Sequence, residues 1–164
     1  VWGHHMFVAG QSPAASMVAQ AVDVEVDRAT GRVYVKRIVV AHDCGLVINP
    51  DGVKGAILGG TLHALSRALH EEAKFDTEKV LDRDWVNHPT LTHLDTPEKI
   101  DIVLVNGDPN PQRPDLPHYG AGEAVCKPLG AAIANAIFDA TGVRLRRMPF
   151  RKERVLAALR TASV

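Results

Sequence analysis

The chain has 164 residues and carries equal numbers of basic and acidic side chains, so its formal charge at pH 7 is zero. This length allows one domain with its own core and is short for two. The balanced charge argues against a nucleic-acid or anionic-membrane partner, and no apolar run is long enough to span a membrane.

A β-hairpin is predicted near the start of the chain. "AVDVEVD" (residues 21–27) alternates apolar and acidic residues, as a half-exposed strand does. "RATG" (28–31) has turn chemistry, and "RVYVKRIVVAHD" (32–43) resumes as a second strand. That strand becomes continuously apolar at residues 38–41, which indicates that its far end enters the core.

A long helix is predicted next. Asn49 followed by Pro50 is typical of an N-cap with proline at the first helical position, and the helix is expected over residues 51–69. Gly59 and Gly60 lie inside it, at a cost of about 1 kcal/mol each relative to alanine. The pair indicates a close approach to the backbone by a strand, a helix or a ligand. A plain packing contact is the simpler of these explanations.

The middle of the chain is expected to be less regular. Two short strands are predicted at residues 71–76 and 79–86, on either side of a turn. An irregular stretch with two prolines follows at 88–99, and "KIDIVLV" (99–105) alternates as a strand. A loop with four prolines occupies 106–122, and loops of this length are usually functional or linking.

Two helices are predicted to end the chain. The first contains Pro128 near its start and stops at Gly142, and the second covers residues 151–160 after Pro149. Strands and helices therefore occur without strict alternation. This order predicts an α+β fold, with a mixed sheet and packed helices.

One carboxylate stands out because of its surroundings. Glu123 follows Gly120, Ala121 and Gly122, directly before the first of these two helices. Glycines let a ligand approach the chain, and such a turn can present backbone N–H groups and a carboxylate to the same cavity. A partly desolvated carboxylate there would serve as a general base. From these residues alone, an ordinary turn glutamate is the simpler interpretation.

Metal-ligating and redox patterns are weak. His63 and His70 share a helix face, but the catalytic-zinc pattern needs two histidines four residues apart. Zinc binding by these two side chains is a minor alternative, and no metal held by protein side chains is predicted. Cys44 and Cys126 are too few for a disulfide framework, and buried, inert thiols are expected.

Four stretches in sequence order resemble the C-terminal part of the molybdopterin-binding large subunit of the xanthine dehydrogenase/aldehyde oxidase family. The similarity is greatest to the bacterial branch that contains isoquinoline 1-oxidoreductase and the corresponding subunits of nicotinate and aldehyde dehydrogenases. The stretches are "AVDVEVDRATGRVYVKRIVVAHDCGLVINPDGVKGAILGG" (21–60), "LHEEAKFD" (69–76), "RDWVNHPTL" (83–91) and "GAGEAVCKPLGAAIANAIFDATGVRLRRMPF" (120–150).

The resemblance implies a molybdenum hydroxylase that oxidises aldehydes or N-heterocyclic aromatics, with water as the oxygen source. Glu123 takes the position of the family's base at the molybdenum centre. The implied cofactor is molybdopterin, in its cytosine dinucleotide form, with molybdenum. The residues implied to line the cofactor are Gly59, Gly60, His63, Gly120, Ala121 and Gly122.

The resemblance also implies an assembly. Residues 1–164 are expected to form a single molybdopterin-binding domain, the C-terminal part of a larger subunit, that is inactive alone. The expected partners are the remainder of that large subunit, a small subunit with 2Fe–2S clusters and a cytochrome c acceptor, in an oligomer without nucleic acid. The compartment is left open between bacterial cytoplasm and periplasm.

Three positions depart from the family pattern. Leu58 replaces a usual acid, His63 replaces a glutamine that reaches the cofactor, and Lys127 replaces a small residue. Leu58 and His63 support an alternative function, a non-catalytic assembly or interaction domain that kept the fold and lost the site.

Overall fold

The computed structural model describes residues 2–8, 16–105, 107–109, 111 and 114–162. These residues form four strands, three α-helices and one short 3-10 helix. In chain order, they are β1 (Trp2–Val8), β2 (Met17–Val26), β3 (Val33–Asp43), α1 (Pro50–Leu69), the 3-10 helix (His93–Asp95), β4 (Lys99–Leu104), α2 (Cys126–Thr141) and α3 (Lys152–Ala162).

The four strands form one mixed sheet in the order β1-β2-β3-β4. The first three pair antiparallel, while β4 runs parallel to β3 after the crossover through α1. The predicted hairpin is confirmed. At its turn the Asp27 carboxylate accepts the N–H groups of Ala29 and Thr30, and Gly31 adopts a positive φ of 77°.

One face of the sheet carries the core. Buried residues alternate along β2 from Val18 to Val24 and along β3 on either side of a β-bulge, and α1 and α2 lie close to the sheet. On α2 the buried positions recur at helical spacing, which gives the helix one apolar face. The side chains with no exposed surface include Val22, Ile38, Val40, Ile57, Leu65, Leu129, Ile133 and Ile137.

The helix boundaries agree with the predicted end signals. Asn49 caps α1, because its side-chain oxygen accepts the N–H of Gly52 at 3.0 Å, and Pro50 is the first helical residue. Gly142 ends α2 in the left-handed conformation, at φ 76°. The α+β expectation is therefore confirmed, and the predicted β4 strand is found at Lys99–Leu104.

The two short strands predicted at residues 71–76 and 79–86 are wrong. This part of the chain has only one isolated bridge, between Phe75 and Val80. Both side chains are mostly exposed, so the alternation of apolar residues does not face a core. An isolated pair of strands without a third strand or a covering helix is marginal at best.

The predicted loop at 106–122 is confirmed where it is described. Residues 107–109, 111 and 114–122 contain no helix or ladder strand, apart from a bridge at His118. Residues 106, 110, 112 and 113 lie outside the described residues.

Candidate active site at the Gly-Ala-Gly-Glu turn

Backbone contacts just after β3 fix the residues that lead into the Gly-Ala-Gly-Glu turn, residues 120–123. Gly45 bridges to His118, and the Tyr119 N–H donates to the Cys44 carbonyl at 2.9 Å. Gly45 has a positive φ of 72°, and a side chain there would collide with the Pro117 carbonyl oxygen. The chain therefore enters the turn along a fixed backbone path.

Helix α1 packs against the turn. A Cβ atom at Gly60 would overlap the Gly122 carbonyl oxygen, and it would lie 2.8 Å from Val125 Cγ2. The Cys126 thiol donates to the Gly60 carbonyl at 3.2 Å and lies 3.6 Å from the Gly122 oxygen. The close approach that the glycine pair indicated is thus made at Gly60, by the turn itself.

The residues after the turn are anchored in the core. Ala124 and Val125 are buried, directly beside the exposed Glu123. The Gln20 side chain of β2 donates its Nε2–H to the Val125 carbonyl at 3.0 Å in the interior. One buried hydrogen bond therefore ties the start of α2 to the sheet.

The Glu123 side chain differs from the buried residues that follow it. It is exposed, and its carboxylate forms no hydrogen bond or ion pair with a residue in the described part of the chain, while its backbone carbonyl accepts the Cys126 N–H at 3.1 Å. Its negative charge reaches Cys126. Burial raises the pKa of that thiol, the Arg67 charge lowers it, and the Glu123 charge raises it further. Arg67 and Glu123 thus flank the same sulfur.

The backbone is open at two of the candidate glycines. A Cβ atom at Gly59 or at Gly120 would have no other atom within 4 Å, so the backbone is bare at both positions. His63 is exposed and follows Gly59 by four residues on the same helix face. Ala121 is partly buried against the core. The structure places these candidate residues on α1 and the turn that lies against it.

Sequence reasoning missed His42, whose side chain has no exposed surface. Neither ring nitrogen has a hydrogen-bond partner among the described residues. Burial lowers the pKa of His42, and the Asp43 charge partly opposes that shift. The buried spacing of Ile38, Val40 and His42 on β3 is the signal that was available. Cys126 also differs from the inert buried thiol that the sequence predicts, because it is only partly buried and bonds to α1.

The described residues contain no group of three or more His, Cys, Asp or Glu side chains that could hold a metal ion. His63 is exposed. His70, just after the last residue of α1, has its Nε2 atom 3.9 Å from the Asp95 carboxylate. The zinc alternative therefore lacks a ligand set in the part of the chain that is described. Among these residues, no helix is both long and apolar enough to cross a membrane.

The family model described as "Molybdopterin cofactor-binding domain" matches residues 4–97, more than half of the chain. This chain belongs to the molybdopterin cofactor-binding domain family. The resemblance to the large subunits of the xanthine dehydrogenase family is confirmed. Besides the family match, similar proteins align with most of this chain.

Three similar proteins illustrate the family. A nicotinate dehydrogenase subunit of Pseudomonas putida is 43% identical over 145 residues, which cover 88% of this chain and 12% of that protein. A Gluconacetobacter polyoxogenes protein, named membrane-bound aldehyde dehydrogenase (pyrroloquinoline-quinone), is 39% identical over 83% of this chain and 17% of its own length. The solved aldehyde oxidoreductase of Desulfovibrio gigas is 34% identical with a TM-score of 0.79, covering 90% of this chain and 16% of that one.

The chain spans less than a fifth of the length of these relatives. Two of the candidate positions leave the backbone accessible to a bulky group, because a Cβ atom at Gly59 or Gly120 would meet no other atom within 4 Å. The Glu123 carboxylate is exposed and has no partner among the described residues. In contrast, a side chain at Gly60 would collide with the Gly122 carbonyl, so the missing side chain of Gly60 allows the turn to pack on α1. A Cβ atom at Gly122 would meet only the Ala56 carbonyl oxygen, at 3.7 Å, which is an ordinary contact.

Proposed function

We propose that this chain forms one wall of the cofactor pocket in a molybdenum hydroxylase and that Glu123 is the general base of the reaction. The observation that carries this proposal is the combination of a free, exposed carboxylate with a turn that is fixed on both sides. The turn contacts α1 at Gly60, and Gln20 anchors the backbone that follows it. The backbone that carries the side chain is thus fixed, and the carboxylate oxygens remain open to accept a proton.

Molybdopterin, when bound, would supply the two-electron redox chemistry that introduces oxygen from water into the substrate. Gly59, Gly120 and Ala121 would line it through bare or small backbone positions, and His63 would contribute a hydrogen bond. Glu123 would accept, at a carboxylate oxygen, the proton released as water's oxygen becomes a nucleophile. Gly60, Gly122 and Cys126 hold the backbone of the turn against α1.

The substrates proposed are aldehydes or N-heterocyclic aromatics. One relative is named for nicotinate, an N-heterocycle, and two are named for aldehydes. We propose the cytosine dinucleotide form of the cofactor and a single domain over residues 1–164. The remaining large-subunit polypeptide, a 2Fe–2S subunit and a cytochrome c acceptor are the proposed partners in an oligomer. The isolated chain is expected to be inactive.

The test uses the chain assembled with the rest of a large subunit and an iron–sulfur partner. Glu123→Gln removes the base with little change in shape, so turnover of nicotinate or an aldehyde should fall at least about 100-fold. Molybdenum content should stay at the wild-type level. Glu25→Gln is the matched control, because Glu25 is an exposed glutamate on β2. Wild-type turnover in Glu123→Gln, with molybdenum present, would exclude Glu123 as the base.

The alternative is a non-catalytic assembly domain. Its specific support is Leu58, a side chain 40% exposed on α1 where the family has an acid. Cofactor should be extracted from the assembled complex and assayed for molybdenum and for pyrroloquinoline quinone, which one relative's name mentions. Stoichiometric molybdenum would argue for the hydroxylase. A stable complex with neither cofactor would argue for the assembly domain.

A further inference from the structure

A second surface lies away from the glycine turn, on the chain between α1 and β4. We call it the apolar segment, residues 73–94. Trp85 is 83% exposed, Val86 is 89% exposed and Leu94 is 93% exposed. Single exposed apolar residues are ordinary, but large ones gathered on one short segment mark interaction sites. The segment's other exposed large apolar side chains are Phe75, Val80 and Leu81.

Polar contacts hold the apolar segment in this shape. The carboxylate of Asp82, itself almost fully buried, accepts the N–H of Lys74 at 2.8 Å. Asp84 accepts the N–H groups of Val86 and Asn87 at 3.1 and 3.0 Å. These contacts keep the apolar side chains turned outward, so the surface is formed before any partner arrives. Pre-formed surfaces lose less entropy on binding.

Further contacts tie the segment to α1. The Leu91 N–H donates to the Ser66 hydroxyl at 2.9 Å. His88 lies 3.9 Å from Glu71 and 3.6 Å from Asp82. These contacts fix the apolar segment against the C-terminal end of α1. The same helix carries Gly59, Gly60 and His63.

A cavity of about 710 Å³ adjoins the segment, and Pro89 and Leu94 line it. The charged groups at its rim are already paired within the chain. Arg32 bonds Asp95 at 3.0 Å, and other rim charges pair in the same way. An occupant would therefore meet apolar side chains together with charges that are already paired within the chain. The buried apolar residues of that lining are Val33, Val35, Leu69 and Phe150.

We propose that the apolar segment and this cavity form the docking surface for the part of the molybdopterin large subunit that lies outside this chain. The proposal rests on the proposed function in one respect, namely that the chain works within a large subunit. The chain spans only 12% of the nicotinate dehydrogenase subunit of Pseudomonas putida. The family match at 4–97 includes the whole apolar segment, so the segment belongs to the family domain and is no unrelated insertion.

The chemistry of the surface defines the facing part of that polypeptide. It should present aliphatic or aromatic side chains to Trp85 and Val86, and insert at least one into the cavity. Little charge complementarity is expected, because Arg32 and Asp95 already neutralise each other at the rim. A central aromatic side chain such as Trp85 is the kind of residue that dominates such interfaces.

The test places a reporter at Trp85. The chain has two tryptophans, so Trp2→Phe with 5-fluorotryptophan labelling gives a single ¹⁹F resonance. The partner probe is the nicotinate dehydrogenase subunit of Pseudomonas putida without the stretch that this chain matches. Binding should shift the resonance and shield it from a soluble relaxation agent. In a binding assay on the unlabelled chain, Trp85→Ala should weaken the complex at least about tenfold.

Val105→Ala is the matched control, because Val105 is 63% exposed but lies beyond the end of β4, outside the apolar segment. It should leave affinity unchanged. The proposal is overturned if Trp85 stays accessible in a formed complex, or if Trp85→Ala binds as tightly as wild type. It is also overturned if the label is shielded in the chain alone and the mass is that of a dimer, since a second copy would then be the occupant.

The two proposals fail separately. If Trp85 is shielded in the complex but no molybdenum is incorporated, the docking surface stands and the proposed function fails. If the complex contains molybdenum and turns over substrate while Trp85 remains accessible, the proposed function stands and the docking surface fails.

Discussion

The glycine turn and the apolar segment are opposites in what they expose. At the turn, small and apolar residues are packed against α1 and the sheet, and one carboxylate, Glu123, is left outside. In the apolar segment, carboxylates such as Asp82 hold the backbone, and Trp85 is left outside. A free charge on a fixed backbone suits proton transfer, whereas fixed apolar side chains suit a partner surface.

We expect the largest effect of a substitution on stability at Gly60. Gly60→Ala would place a methyl group on the Gly122 carbonyl, a backbone atom that cannot simply rotate away. We expect a loss of about 2–3 kcal/mol in the free energy of unfolding, from overpacking. Urea denaturation measures it. Gly55→Ala, at an open position on the same helix, should be stabilising by up to about 1 kcal/mol. Equal stabilities of the two variants would show that the turn does not press on α1.

The buried His42 predicts a dependence on pH. Its folded-state pKa is lowered by burial, so below the unfolded-state value of about 6.5 the unfolded chain binds more protons than the folded one. Stability should therefore fall with acidification below pH 6.5, by at most about 1.4 kcal/mol per pH unit for this one group. His70, whose pKa is also lowered by burial, acts in the same direction. His42→Leu should flatten the slope between pH 6.5 and 5, and an unchanged slope would assign it to other groups.

Gly59 separates stability from function. Its backbone is open, so Gly59→Ala should stabilise the chain by about 0.5–1 kcal/mol through helix preference. In the assembled enzyme the added methyl group would occupy space proposed for the cofactor, so molybdenum content should fall. Gly55→Ala should match the stability gain and leave molybdenum unchanged. Full molybdenum loading in Gly59→Ala would move the cofactor away from this part of α1.

The smallest effect is expected in the apolar segment. Trp85→Ser in this chain alone should change the free energy of unfolding by no more than about 0.5 kcal/mol, because the side chain packs on little. Thermal unfolding of the chain measures this. A cost above about 2 kcal/mol would mean that Trp85 belongs to the core, and would remove the contrast between the two regions.

Local patterns predicted the local structure well. Alternation gave the β2–β3 hairpin, and the Asn49–Pro50 pair gave the start of α1. The same alternation misled at residues 71–86, because a period of two shows which side chains share a face but not whether another strand is there to cover them. Here Phe75 and Val80 stay mostly exposed, so the alternation did not lead to a buried face.

The candidate site shows the same limit. Glu123 was singled out by its motif and by the family resemblance, and its role as a base stays a prediction. The glycine pair on α1 indicated a close contact. The identity of that contact was out of reach, because Gly60 and Gly122 meet only in the folded chain. The hydrogen bond from the Cys126 thiol to the Gly60 carbonyl likewise joins α2 to α1. No local sequence pattern predicts how these two helices pack. Nor could the sequence predict that neither ring nitrogen of His42 finds a hydrogen-bond partner among the described residues.

The most direct measurement is a structure of this chain assembled with the rest of its large subunit and loaded with cofactor. We predict that the Glu123 carboxylate faces the molybdenum, with one carboxylate oxygen within about 3 Å of the substrate or water position. The bare backbone at Gly59 and Gly120 should border the pterin. A cofactor bound elsewhere, with Glu123 facing solvent or sealed against another side chain, would contradict it.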